Sequence, residues 1–351
     1  METKPVRGRG ASHNPANRFE GLAVVEEGSR DPGDPGPQTE FFRDRCRTVI
    51  ARNQSPDVGF DTTVNPYRGC EHGCSYCYAR PYHEYLGFSA GLDFETKILV
   101  KEDAPDLLRA ELSSRRWQPQ PILLSGVTDP YQPAERRLRL TRRCLEVLAE
   151  FRNPVAITTK NRSVIRDLDL LAELASRGAA AVALSITTLD GRLQRVMEPR
   201  TSAPARRLDA IARLTAAGVP AAVTIAPVIP GLTDHELPNI VAAAAEAGAV
   251  SAGYIMLRLP HGVAPLFERW LEAHFPERKE KVLNRIREVR RGRLYDSRFE
   301  VRGRGEGPYA RQLERLFQVS CRKAGLARQM PPLSAAAFRR PRPAGQLRLP
   351  I

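Results

Sequence analysis

The sequence predicts an α/β chain folded as a partial (β/α)6 TIM-like barrel with a C-terminal helical extension. Short apolar runs recur along it, and three of the amphipathic stretches between them stop at a glycine. The runs are PILLSGV (121–127), VAITT (155–159), AVALSITT (181–188), AAVTIAPVI (221–229) and SAGYIMLRL (251–259). Branched and small apolar residues occupy both faces of each, as a parallel sheet covered by helices requires. A further strand just before Cys70 raises the count to about six units, short of the eight that close a barrel.

Taken in order, residues 1–40 carry DPGDPGPQ and glycine-spaced charges. They offer too little apolar surface to offset the entropy of ordering, so they are expected to be disordered. The barrel with its cysteine loop follows over residues 41–260. Within it Ser163 is placed to cap SVIRDLDLLAELASR, which Gly178 ends, and APARRLDAIARLTAAG and DHELPNIVAAAAEAG end likewise at Gly218 and Gly248. Beyond Pro260 the strands stop. PLFERWLEAHF, PERKEKVLNRIREVRRG and PYARQLERLFQVSCRKAGL read as the helices of an extension over residues 261–330. Residues 331–351 form a Pro/Arg-rich, solvated tail.

The 351 residues include 54 Lys+Arg against 40 Asp+Glu, a formal charge of +14, which makes nucleic acid a candidate partner. The basic residues are spread along the chain, with no single arginine block in its middle. The N-terminus METKPVRGRGASHNP lacks the apolar segment of a secretory signal, and no run of about 18 uncharged apolar residues exists to span a membrane. A cytoplasmic location without a membrane partner is expected. In that reducing compartment clustered cysteines bind metal or react rather than form disulfides.

Three of the six cysteines fall in NPYRGCEHGCSYCYAR with the spacing Cys70-x3-Cys74-x2-Cys77. Gly69 and Gly73 let the backbone turn tightly around a bulky ligand. Three thiolates on one loop can hold three corners of a 4Fe-4S cluster, leaving the fourth iron without a cysteine. They can also hold zinc, with His72 or His83 as fourth ligand, although structural zinc commonly draws its ligands from two separated segments. Phosphate-loop, zinc-helix and nucleophile-elbow motifs are absent.

CEHGCSYC, with Tyr76 just before the third cysteine, resembles the cluster loop of the radical S-adenosylmethionine (radical SAM) enzymes. TDPYQPAE (128–135), TTKN (158–161) and SITTLD (185–190) follow successive strands, MEPRTSAPARRLDAI comes next and IAPVIPG lies on the fifth run. Together they resemble the branch containing spore photoproduct lyase, over about residues 55–260, and SRFEVRGRGEGPYA resembles the C-terminal segment of its bacterial relatives. The resemblance implies a 4Fe-4S cluster on Cys70, Cys74 and Cys77, with S-adenosyl-L-methionine (SAM) chelating the open iron. It also implies a flavodoxin- or ferredoxin-like external reductant, and a 5'-deoxyadenosyl radical that abstracts hydrogen from an unidentified substrate.

Position by position, the resemblance puts Lys160 on the SAM carboxylate and Thr128 and Asp129 on its amino end. Ser185 goes to the ribose or carboxylate region, Tyr78 against the adenosyl part, and Tyr76 beside the cluster as a shield. Gly126 is a departure: the lyase carries there the cysteine that returns a hydrogen atom to its product, so lyase activity itself is not expected. Cys144 and Cys321 read as buried small hydrophobes, and Cys46 has no assigned role. The alternative from another class is a non-catalytic zinc or iron-sulfur protein that binds nucleic acid.

Overall fold

Apolar runs on both faces of a strand can be buried only between helices and a neighbouring strand on each side. The computed structural model, which describes residues 5–20, 37–57 and 59–341, satisfies that demand. Its strands are β1 (Glu40–Arg43), β2 (Ile50–Arg52), β3 (Thr62–Val64), β4 (Tyr67–Arg68), β5 (Lys97–Val100), β6 (Ile122–Leu124), β7 (Val155–Thr159), β8 (Ala180–Ser185), β9 (Ala221–Val228) and β10 (Ser251–Met256).

Strands β3, β6, β7, β8, β9 and β10 lie side by side in chain order and all run parallel. The sheet ends at β10 on one side and at β2, antiparallel to β3, on the other, so the barrel is partial, as expected. Strands β1, β5 and β4 form a second, small sheet that the sequence did not announce.

The crossover helices Leu140–Phe151, Leu168–Ala175, Pro204–Ala216 and Leu237–Glu246 bury Leu145, Leu148, Leu171, Leu174, Ile211, Leu214, Ile240 and Val241 against the sheet. Cys144 and Cys321 lie in the same core, 0% and 2% exposed. The helix after β7 is capped differently from the sequence expectation. Asn161, not Ser163, supplies the cap, accepting from the Ser163 N–H at 3.0 Å, because a 3-10 turn over Arg162–Asp167 precedes the α-helix.

The C-terminal helices pack against the barrel. Gly307–Ala324 buries Ala310, Leu313 and Phe317 in the main core, and Ala327 pairs with the backbone of Val250 and Ala252 at the free edge of β10. Val263–His274 and Lys279–Glu288 form a second core with Leu193, Met197 and Ile229, and that core backs Cys74 and Tyr76. Among the described residues no helix is long and apolar enough to cross a membrane.

Both chain ends depart from the expectation of unpacked segments. Residues 21–36 and 342–351 lie outside the described residues, but residues 9–11 cross the cysteine loop. The Gly10 and Ala11 N–H groups donate to the Glu95 carboxylate at 3.1 and 2.9 Å, and Arg9 donates to the Glu95 carbonyl at 2.9 Å. Apolar content did not foretell this because the contact is made by backbone N–H groups and a buried carboxylate. The crossing also needs glycine: a Cβ on Gly10 would stand 1.8 Å from the Gly73 carbonyl oxygen. In the tail, Arg339 N–H donates to the Phe151 carbonyl at 2.9 Å, and Arg340 donates to that of Trp117 at 2.9 Å.

Glu95 also pairs with Arg80 at 2.5 Å, with both side chains 0% exposed. Arg80 in turn donates to the Cys74 carbonyl at 2.8 and 3.1 Å and to the Gly91 carbonyl at 2.8 Å. Removing one member of such a pair leaves the other charge buried and uncompensated, at about 3–5 kcal/mol. Glu95→Ala is therefore expected to lower unfolding free energy in urea by about that amount. A loss below about 1 kcal/mol, the value of an exposed pair, would contradict the role given to Glu95.

Candidate metal centre

The cysteine loop leaves β4 at Gly69 and is fixed on every side. The Cys70 N–H donates to the Phe94 carbonyl at 2.9 Å and the Ser75 N–H to that of Met197 at 3.0 Å. Gly73 has φ +66°, and a Cβ there would stand 2.7 Å from the Glu95 carboxylate, so the tight turn inferred from the sequence is sterically required.

All three thiols are held above their ordinary pKa. For Cys70 the cause is burial first, then the Asp129 carboxylate and the other two sulfurs. For Cys74 it is burial, then Glu198. For Cys77 burial dominates and Arg80 opposes it. Without metal these groups stay protonated, so loading the site releases protons. The backbone N–H groups of His72 and Ala79 face the Cys70 and Cys77 sulfurs and favour their thiolate forms.

Both histidines that could serve as a fourth zinc ligand are engaged elsewhere. His72 is 1% exposed, with Nδ1 3.4 Å from the Asp129 carboxylate and Nε2 3.3 Å from Asn161. His83 Nε2 meets the Lys97 carbonyl at 2.9 Å, and its ring lies between Phe88 and Phe94. Ser75 Oγ, inside the loop, is buried without a hydrogen-bond partner among the described residues, which leaves a donor for a sulfur ligand. The loop fits a cluster.

Across from the loop, the ends of β7, β8 and β9 meet in a polar network. Lys160 Nζ donates to Ser185 Oγ at 2.7 Å, Thr187 Oγ1 at 3.2 Å and the Ala226 carbonyl at 2.8 Å, and lies 3.2 Å from Glu198 Oε1. Glu198, fully buried, also accepts from Tyr76 and Arg207. Burial pushes its carboxyl up, but Arg207, Lys160 and Tyr76 outweigh that and hold it well below the usual range. The Tyr76 ring lies 5.6 Å from the Lys160 ammonium. Tyr76 thereby joins the cysteine loop to this network.

The structure thus brings Lys160, Ser185 and Tyr76 together. It gives Thr128 and Asp129 structural partners. Thr128 Oγ1 donates to the Gly69 carbonyl at 2.7 Å. Asp129 accepts from Thr159 at 2.7 Å and from the N–H groups of Tyr131 and Lys160, each at 2.8 Å. Burial pushes Asp129 up, yet His72 and these donors hold it below its ordinary value. Tyr78 stands apart, its hydroxyl on the Gly126 carbonyl at 2.5 Å and its ring under the Arg258 guanidinium at 4.9 Å. Glu198, Arg207 and Thr187 were not singled out from the sequence, although all three lie in the SITTLD and MEPRTSAPARRLDAI segments.

The model of the radical SAM superfamily matches residues 64–244. The chain belongs to the radical SAM superfamily. This radical SAM chain is 38% identical to an uncharacterised protein of Mycobacterium tuberculosis H37Rv over 258 residues, 72% of this chain and 74% of that one. It is 30% identical to an uncharacterised Methanocaldococcus jannaschii protein over 246 residues, 70% of this chain and 88% of that one. Among solved structures it resembles spore photoproduct lyase complexed with dinucleoside spore photoproduct, with a TM-score of 0.56, 16% identity, and coverage of 81% of this chain and 79% of that one. At that identity the likeness speaks for the fold.

Glu198→Gln leaves Arg207 and Lys160 without their carboxylate and is expected to cost about 3 kcal/mol at neutral pH. A depressed folded-state pKa gives stability that is present above the unfolded value of about 4.3 and is lost as pH falls below it. The parent should therefore lose that share on acidification below about pH 4.3, and the variant should lose less. Parallel stability-pH curves from urea unfolding would contradict this.

Proposed function

We propose that Cys70, Cys74 and Cys77 hold a 4Fe-4S cluster with one iron open to SAM, and that the chain cleaves SAM reductively. When bound, the cluster supplies one electron and SAM the 5'-deoxyadenosyl radical that takes hydrogen from a substrate. The observation that carries this reading is a clamped loop of three thiols, Cys70 and Cys74 buried and Cys77 half-buried, whose two neighbouring histidines are both engaged elsewhere.

Lys160 is the group suited to the SAM carboxylate, because its ammonium, anchored by Glu198 and by the oxygens of Ser185, Thr187 and Ala226, is the partly exposed positive charge of this network. Glu198 and Arg207 fix its direction from behind. Ser185 remains beside it for the ribose or carboxylate region. Thr128 and Asp129 serve the amino end through the shape they give the loop and the start of the β7 crossover. Tyr78, exposed beside Gly126, offers its ring face to the adenosyl part.

Gly126 separates this chain from the lyase reaction. It carries no side chain, and its φ of +132° disfavours any other residue, although a Cβ would meet only Asn65 and Thr63 at 3.6–3.8 Å. A nucleic-acid substrate of another kind is supported by the +14 charge and the lyase-like fold. Binding to a single-stranded oligonucleotide that weakens steeply with salt is its test, and no binding at low salt would remove it.

Anaerobically reconstituted protein given SAM and dithionite is expected to form 5'-deoxyadenosine, read by chromatography, and to leave dinucleoside spore photoproduct unconverted. Cys74→Ala should form none. Lys160→Ala should weaken SAM binding about tenfold or more, the loss of one charge-assisted hydrogen bond. One equivalent of zinc without sulfide in the anaerobically purified protein would overturn the reading.

A further inference from the structure

Beside the cysteine loop, the β6–β7, β7–β8 and β8–β9 crossovers gather arginines that are far apart in sequence. Arg136, Arg162, Arg166, Arg200 and Arg206 line a basin of about 580 Å³ with no Asp or Glu in its wall, and Arg139 stands beside it next to Arg166. The helix Pro204–Ala216 starts at its rim with no side-chain cap, adding the positive end of its dipole.

Three of these arginines are braced from behind. Arg162 pairs with Asp209 at 2.7 Å, Arg166 with Glu135 at 2.8 Å and Arg200 with Glu71 at 3.4 Å. Each keeps a quarter to a third of its side chain exposed. Arg136, Arg139 and Arg206 are exposed and meet no carboxylate within ion-pair distance among the described residues. The arrangement is a braced base with exposed charges on its rim, suited to meeting another charged surface.

The floor of the basin leads to the metal loop. Asn161, in the floor, contacts His72 at 3.3 Å, and the Arg200 N–H donates to the His72 carbonyl at 3.3 Å. His72 is two residues from Cys70, and its own N–H faces the Cys70 sulfur.

We propose that this basin is the docking site for a small acidic one-electron carrier protein. The inference rests on the proposed function, which needs one electron for each SAM cleaved. The carrier is oxidised by one electron, the centre on Cys70, Cys74 and Cys77 is reduced by one, and no bond forms between the proteins. Opposite charge steers such encounters, and electron-transfer contacts are small and salt-sensitive. Nucleic acid would also answer the charge, but nothing in its binding calls for a path to the cysteine loop.

The test titrates oxidised flavodoxin, as the acidic probe, into the reconstituted protein and follows flavin fluorescence. The parent should bind it, more weakly by about tenfold or more between 20 and 200 mM salt. The triple variant Arg136→Glu/Arg139→Glu/Arg206→Glu should bind it about tenfold or more weakly than the parent at low salt. With reduced flavodoxin as donor its 5'-deoxyadenosine formation should fall in proportion, while dithionite-driven formation stays at the parent level. Unchanged flavodoxin affinity in the variant overturns the proposal, as does lost oligonucleotide affinity with flavodoxin affinity intact. Absence of dithionite-driven cleavage in the parent would instead sink the proposed reaction, and the binding titration would still report on the docking site.

Discussion

The buried Arg80–Glu95 pair is the constraint on which the metal loop depends. Two charges taken out of water are costly, and the cost is offset only when the remaining donors and acceptors are satisfied as well. Here they are, since Arg80 holds the Cys74 and Gly91 carbonyls and Glu95 holds the N–H groups of Gly10 and Ala11. One ion pair thereby ties the N-terminal segment and the stretch before β5 to the cysteine loop. The same pair helps set the shape of a short loop that presents three thiols.

The second wall of the site is built on the same principle with opposite sign. Glu198 is the buried anion, and Arg207, Lys160 and Tyr76 satisfy it. Tyr76 belongs to the cysteine loop, so the two buried charge clusters are mechanically joined across the space between them. Lys160 is the one member of the second cluster with partial exposure, 15%, which makes it the group able to meet a ligand. A site held this stiffly can position SAM against a metal loop without large rearrangement.

Much of this was legible in the sequence where the governing interaction is local or periodic. VAITT is β7 to the residue, because a buried parallel strand has no polar position to blur its ends. The cysteine spacing pointed to the loop, and the strand-end position of Lys160 and Ser185 pointed to their convergence. Glu198 and Arg207 were hidden because their meaning lies in partners as distant as Tyr76. Thr128 and Asp129, read as ligand contacts, also carry structural bonds that were not foreseen, since type and position do not show where a side chain's hydrogen bonds go. The arginine basin was invisible for the same reason, its members coming from three separate crossovers, and the crossing of Gly10 over Gly73 left no apolar pattern to find.

The proposed reaction requires an iron left open within the three-thiol loop. Electron paramagnetic resonance of the reconstituted, reduced protein, recorded before and after SAM is added, tests that most directly. The signal of a reduced 4Fe-4S cluster that changes shape on SAM addition is the expected result. A cluster signal that SAM leaves unaltered, at concentrations where binding is independently saturated, would contradict it.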